Sequence, residues 1–201
     1  MGDELRLPDS IHTIPAALAF WAERTPDAPA LIIPGSPAIT YERLWNLANT
    51  LAESLARVGV GRNDRIVLLL PEGPVLATAL LGTMSAAIAV PLDVALTITE
   101  LGVALQGFNA AGAIALPPIP DGTRGYLSQL EMPIFELDTN NALDPFVLAG
   151  HSGRPGCPRT WPRAEDIGVV GHTSGTTRTP KRIPRPHAFW NTAGDIATGS
   201  V

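Results

Sequence analysis

The spacing of hydrophobic positions changes several times along this chain, and each change marks a new element. Ile14, Leu18 and Trp21 recur at helical intervals. Thr13 stands where a cap belongs and Pro15 in the first turn, where a missing N–H costs little, so the pattern predicts a helix over 14–24. "ALII" (30–33) and "AIT" (38–40) flank "PGSP", which reads as two short strands around a turn. From Thr40 the helical period returns through Tyr41, Leu44, Leu47, Ala48, Leu51 and Leu55, and Gly59 falls where a helix ends.

Beyond residue 60 the pattern alternates. "RIVLLL" (65–70) is a continuous apolar run, as expected of a strand covered on both faces. "PEG" breaks it, a helix is expected over 74–86, and a strand over 87–92. Thr97 and Glu100 have capping-box spacing, opening a helix with Ile98, Leu101, Leu105 and Phe108 on one side. Strands follow at 113–116 and 133–137. Residues 138–164, rich in Gly, Pro and Arg, read as a long surface loop, and "DIGVVGH" (166–172) as the last strand. Strand and helix alternating at these lengths predict an α/β fold, a mainly parallel sheet with flanking helices.

One segment calls for a membrane test. Residues 73–92 carry no charge over the length of a bilayer span. They also contain two prolines, two glycines, two threonines and a serine, and Glu72 and Asp93 flank them without a neighbouring Lys or Arg. A buried helix followed by a strand is the expectation, with no membrane span.

Composition narrows the function classes. The 201 residues are 45% hydrophobic and 16% charged, which suits a globular domain. The net charge is −5 and the basic residues are scattered, so no stripe for nucleic acid is present. Cys157 is alone, which excludes a disulfide framework within the chain and a cysteine-based metal site. The polar, acidic start "MGDELRLPDS" is no signal peptide, and a reducing cytoplasmic setting is expected. His12 and His151 have no Cys, Asp or Glu at ligand spacing. Trp21, Trp45 and Trp190 fall in helical patterns and are expected in the core. Arg154, Arg159 and Arg163 are expected to be solvated, and His187 to pack or cap rather than act as a base.

The candidate chemistry lies in "GHTSGTTRTPKRI" (171–183), which leaves the end of the last strand. Ligands of open parallel sheets bind beyond the C-terminal ends of strands. Gly175 and its small neighbours allow consecutive N–H groups to turn inward as an anion nest. Thr173, Ser174, Thr176 and Thr177 add hydroxyl donors. Lys181, the one lysine among fourteen Lys and Arg residues, adds a mobile point charge. These are parts for gripping a polyphosphate. The spacing is not that of a Walker loop: with Lys181 aligned, Pro180 stands where the glycine belongs and Arg182 where a Ser or Thr belongs. The plain alternative is a Ser/Thr/Gly turn that binds nothing.

"HTSGTTRTPKRI" resembles the phosphate-binding signature TSGTTG-x-PKG of the adenylate-forming enzymes, a superfamily of acyl-CoA synthetases, luciferases and peptide-synthetase adenylation domains. "ITYERL" (39–44), "GVGRNDRIVLLLPEGP" (59–74) and "AAIAVPLD" (86–93) resemble further segments of that family in the same order. The resemblance runs from about residue 11 to the end, which makes residues 1–10 a tail and 11–201 the N-terminal part of an AMP-binding domain, with 172–182 as its phosphate-binding loop.

The resemblance implies an acid–thiol ligase. A carboxylic acid would attack the α-phosphorus of ATP, release pyrophosphate, and pass from acyl-AMP to coenzyme A or a carrier-protein phosphopantetheine. Thr173, Ser174, Gly175, Thr176, Thr177 and Lys181 would hold ATP phosphates, with His172 and Arg178 on the nucleotide side. "TT" at 176–177 leans toward an acyl or aryl acid. The signature's glycines after the threonines and after the lysine are Arg178 and Arg182 here; each arginine either adds a phosphate contact or stiffens the loop. The family's adenine and ribose contacts, its Mg2+-linked glutamate and its catalytic lysine are expected beyond Val201, so no catalytic residue is assigned within the chain and the chain alone is expected not to adenylate. The rival expectation is a non-catalytic interaction module or remnant that at most binds nucleotide phosphates.

Overall fold

The computed structural model describes residues 7–35, 37–138, 147–172 and 181–190. Helix α1 (Ile14–Arg24) begins where Thr13 accepts a hydrogen bond from the Ala16 N–H, with Pro15 in the first turn. Strands β1 (Pro29–Leu31) and β2 (Ile39–Thr40) pair antiparallel. Thr40 caps α2 (Tyr41–Arg57) by accepting from the Arg43 N–H. Then come β3 (Arg65–Leu69), α3 (Pro74–Met84), β4 (Ile88–Leu92), α4 (Ile98–Leu105), β5 (Gly112–Ala115), α5 (Asp121–Gln129), β6 (Ile134–Asp138), β7 (Val147–Ala149), β8 (Ile167–His172) and β9 (Arg182–Pro186).

Among the described residues, the main sheet has the order β7-β6-β5-β3-β4-β8-β9. Its inner five strands are parallel, and an antiparallel strand closes each edge. Side chains alternate across it as the two-residue period of a strand requires. Ile66, Leu68 and Leu70 pack on one face with Ile114 and Phe135 against Leu51, Leu55 and Ala79 of α2 and α3. Val67 and Leu69 face the other way, with Val90 and Ala113, onto Leu101, Leu105 and Leu127 of α4 and α5. That double cover is why the 65–70 run is uniformly apolar. The uncharged stretch 73–92 resolves into α3 and β4, and among the described residues no helix is long and apolar enough to cross a membrane. Gly82 lets α3 approach α2: a Cβ there would stand 2.9 Å from the Leu51 side chain.

Three elements depart from the sequence expectation. Helix α5 was not expected, because "DGTRGYLSQ" has two glycines and buries only Leu127. Within the expected loop 138–164, residues 147–149 form β7 on the edge of β6. The expected loop 172–182 has its first and last residues in strands, since His172 ends β8 and Arg182 begins β9. Two prolines in five residues disguised β9, yet proline is tolerated on an edge strand that need not donate outward.

The segment 150–163 is irregular but seated. It straps the C-terminal end of α2, where the last carbonyls lack helical donors. The Cys157 N–H donates to Ala56 O at 2.9 Å, and the Ser152 hydroxyl donates to Val58 O. Gly59 has φ +77°, and a Cβ there would also run into the Pro155 carbonyl. Of the three arginines expected to be solvated, Arg154 and Arg163 are exposed and Arg159 alone departs. The Arg159 guanidinium lies 4.2 Å from the Trp161 ring centroid and donates to the Asn49 side chain. Arg154 pairs with Asp64 at 3.0 Å, while Arg163 remains exposed. Trp190 is also corrected: it is 36% exposed, edge-on to Phe189.

Candidate functional site

Strand order places a crevice. The chain leaves β4 toward β5, on the far side of β3, but leaves β8 toward β9 in the opposite direction. Adjacent parallel strands whose connections diverge open a gap at their C-terminal ends, the usual ligand position in such sheets. Ladder pairing between β4 and β8 is confined to Ala89 and Val169, short of the C-terminal ends of both strands. Pro91, with no N–H to give, lies past that pairing.

The hydroxyl-rich segment starts at this point. His172 is the last residue of β8 and lies opposite Arg182 of β9, so the two residues form the base from which the segment departs and to which it returns. Thr173, Ser174, Gly175, Thr176, Thr177 and Arg178 lie outside the described residues. Lys181 is exposed and stands immediately before β9.

A cluster that sequence reasoning missed surrounds this base. Phe108, just past α4, has the Arg182 guanidinium 4.9 Å and the Arg65 guanidinium 5.5 Å from its ring centroid. The His172 ring lies 6.4 Å away, tilted by 58°. Arg182 Nη2 also donates to Ala104 O at 3.1 Å and to Gln106 O at 2.5 Å. Both ring nitrogens of His172 are buried and lack a hydrogen-bond partner among the described residues. Burial, aided by the positive charge of Arg182, lowers its pKa and favours a neutral ring. The one available clue was Arg182 standing in place of a signature glycine.

A separate cavity of about 360 Å³ opens past the ends of β3 and β5. Leu69, Leu101, Ala115 and Ile119 line it, and among the described residues Asp93 and Thr123 supply its polar side chains.

The foot of β8 is fixed by charge and hydrogen bonds. Asp166 accepts from Arg62 Nε at 2.6 Å, from Arg62 Nη2 at 2.9 Å and from the Arg163 N–H at 2.7 Å. Burial works against the Asp166 carboxylate, but these donors and the Arg62 charge win and hold its pKa below the usual value. His187 is buried, and its Nδ1 accepts from the Ile14 N–H at 3.3 Å, tying the start of α1 to the end of β9. Burial pushes the His187 pKa down to about 4, against a smaller opposing pull from Asp166. The ring thus packs and accepts, as the sequence suggested, and is remote from a base's role.

For a divalent ion the described residues offer little: among them, no three His, Cys, Asp or Glu side chains come together. What the described residues set at this point is the paired base His172–Arg182, with Lys181 exposed immediately before β9.

Known proteins resemble this chain. Residues 18–197 match the profile of the AMP-binding enzyme family. The chain is 29% identical over 180 residues to the sulfoacetate–CoA ligase of Cupriavidus necator, across 88% of this chain and 35% of that protein. It is 30% identical over 193 residues to the pyochelin synthetase PchF of Pseudomonas aeruginosa, across 94% of this chain and 10% of that protein. The chain therefore spans about a third of the ligase and about a tenth of the synthetase. Its fold matches the complex structure of VinN with 3-methylaspartate at a TM-score of 0.73 and 22% identity, over 93% of this chain and 52% of that one. It also matches a fatty acyl-adenylate ligase from L. pneumophila at a TM-score of 0.67 and 21% identity, over 93% of this chain and 32% of that one. With a parallel sheet that opens at β4 and β8, and with nearly its whole length matched, the chain belongs to the AMP-binding enzyme family.

Proposed function

We propose that this chain supplies the phosphate grip of an ATP-dependent acid–thiol ligase, within residues 11–201 as the N-terminal part of an AMP-binding domain. In the whole protein, a carboxylate oxygen attacks the α-phosphorus of ATP, the bond to the bridging oxygen breaks, and pyrophosphate leaves. The acyl group of the resulting acyl-AMP then passes to a thiol of coenzyme A or of a carrier-protein phosphopantetheine. Thr173, Ser174, Thr176 and Thr177 donate to the leaving phosphates, Gly175 lets backbone N–H groups approach them, and Lys181 contributes charge. His172 and Arg178 stand on the nucleotide side. Magnesium, when bound with ATP, would offset phosphate charge, with its protein ligand expected beyond Val201.

The observation that carries this reading is positional. The hydroxyl-rich segment and Lys181 lie between two paired strand ends at the point where β4 and β8 diverge. Family membership supports acid activation as the chemistry, and the two matched ligase and synthetase relatives support a thiol acceptor.

Gripping the leaving phosphates is one part of catalysis; the acid and the α-phosphorus must also be aligned. The 201-residue chain is therefore expected to bind MgATP without turning it over. Calorimetric titration should show binding that weakens at least about tenfold on Lys181→Ala. ATP–pyrophosphate exchange with a panel of aliphatic and aryl acids should stay at background. Absence of ATP binding would sink the proposal, and clear exchange would overturn the division of labour.

A further inference from the structure

We infer that Arg182 is a positioning residue for the phosphate grip: it latches the chain at Lys181 onto the C-terminal end of α4. The inference rests on reading 173–181 as a phosphate-binding segment.

Three contacts define the latch. One guanidinium nitrogen spans two carbonyls, Ala104 O at 3.1 Å and Gln106 O at 2.5 Å. Both belong to the end of α4, where carbonyls lack helical donors and the helix dipole favours a cation. The same guanidinium lies 4.9 Å from the Phe108 ring centroid, and that ring also meets His172. His172 and Arg182 are partners in the β8–β9 register. Phe108 therefore touches both strands at the base of the segment, and Arg182 carries that base to α4.

The geometry decides between the two roles left open for an arginine at this position. Its charge is engaged by carbonyls and an aromatic face, so it stiffens the exit of the segment. A glycine here would leave the α4 carbonyls to water and free the backbone beside Lys181. One guanidinium nitrogen donates to both carbonyls while the guanidinium plane rests on a ring; a glycine can do neither, and a lysine ammonium keeps the donors without the planar stacking face. Holding Lys181 in place before the ligand arrives reduces the ordering cost of binding.

The test is calorimetric titration of MgATP, and separately of inorganic pyrophosphate, into the 201-residue chain and four variants. The variants are Lys181→Ala, Arg182→Gly, Arg182→Lys and Phe108→Leu, each measured where its circular dichroism matches that of the unaltered chain. Arg182→Gly is expected to weaken both ligands about tenfold, with the loss mainly in entropy. Arg182→Lys, which keeps a donor for the carbonyls, should stay within about threefold, and Phe108→Leu should lose about threefold. A purely structural arginine would lower the melting temperature and leave the affinity of the folded protein unchanged. A folded Arg182→Gly variant that binds like the unaltered chain overturns the inference. If Arg182→Gly does not fold, unchanged affinity in Phe108→Leu overturns it instead. Binding that fails in Lys181→Ala but survives in Arg182→Gly sinks the latch alone; no binding by the unaltered chain sinks the phosphate reading and the latch together.

Discussion

The β3–β4–β5 block and the β8–β9 hairpin belong to one sheet but are held by different forces. The block is held by burial: Ile66, Val67, Leu68, Val90 and Ile114 are fully buried between two layers of helices. The hairpin is shallower and relies on named polar anchors. Arg62 grips Asp166 at its foot, His187 accepts from Ile14 behind it, and Arg182 reaches α4 at its mouth. Apolar burial is non-directional and tolerant, so it makes a scaffold. Charge-assisted hydrogen bonds fix direction, so they suit the part of the sheet that carries the proposed phosphate-binding segment.

The sharpest way to break the contrast is a cavity in the block. Leu68 is fully buried beneath α2 and α3. Leu68→Ala should cost about 3–4 kcal/mol in urea unfolding, a large share of a domain's net stability. A loss below about 1 kcal/mol would mean that the block is not the scaffold.

The hairpin should answer to pH instead. His187 is held neutral, with its pKa lowered to about 4 by burial. The unfolded chain binds this proton near its ordinary pKa of about 6.5, so unfolding takes up a proton between those values. Stability should fall as pH drops from 6.5 toward 4, with full benefit above that window. With allowance for residual solvent screening of the ring, the loss is about 2 kcal/mol. His172, whose pKa is lowered as well, acts in the same direction. His187→Asn, which keeps an acceptor near Nδ1 but does not titrate, should flatten part of the slope and leave the His172 share. Chemical denaturation from pH 7 to pH 4 reads this directly, and an unchanged slope in the variant would remove His187 from the account.

The same contrast explains what was legible in the sequence. Helices α1, α2 and α4 announce themselves by apolar side chains at helical spacing and strands β3 to β6 by short apolar runs, and Thr13, Thr40, Thr97 and Gly59 punctuate them with local chemistry. The hydroxyl-rich segment was legible because small residues and a lone lysine are unusual after a buried strand. Strand β7, strand β9 and helix α5 gave no such signal: two are edges and the third buries one side chain. Arg159 and Arg182 were harder still. Their partners, Asn49 and Ala104, are 110 and 78 positions away, and no local pattern encodes such a contact. Trp190 followed a helical pattern yet lies at the surface, because periodicity says which side chains share a face but not whether that face is covered.

The smallest expected effect joins the two regions. Helix α4 has only eight residues, packs on the block through Leu101 and Leu105, and receives Arg182 at its far end. Its near end is a complete capping box: the Thr97 hydroxyl accepts from the Glu100 N–H, and the Glu100 carboxylate accepts from the Thr97 N–H at 2.9 Å. Thr97→Ala removes half of that box and should cost about 1 kcal/mol. So short a helix has little interior to insulate its ends. If Arg182 steadies α4 while α4 steadies the hairpin, Thr97→Ala and Arg182→Gly should not add: a double-mutant cycle in urea unfolding should give a coupling of at least about 0.5 kcal/mol. Strict additivity would mean that the two ends of α4 act independently, and the hairpin would then draw its order from Asp166 and His187 alone.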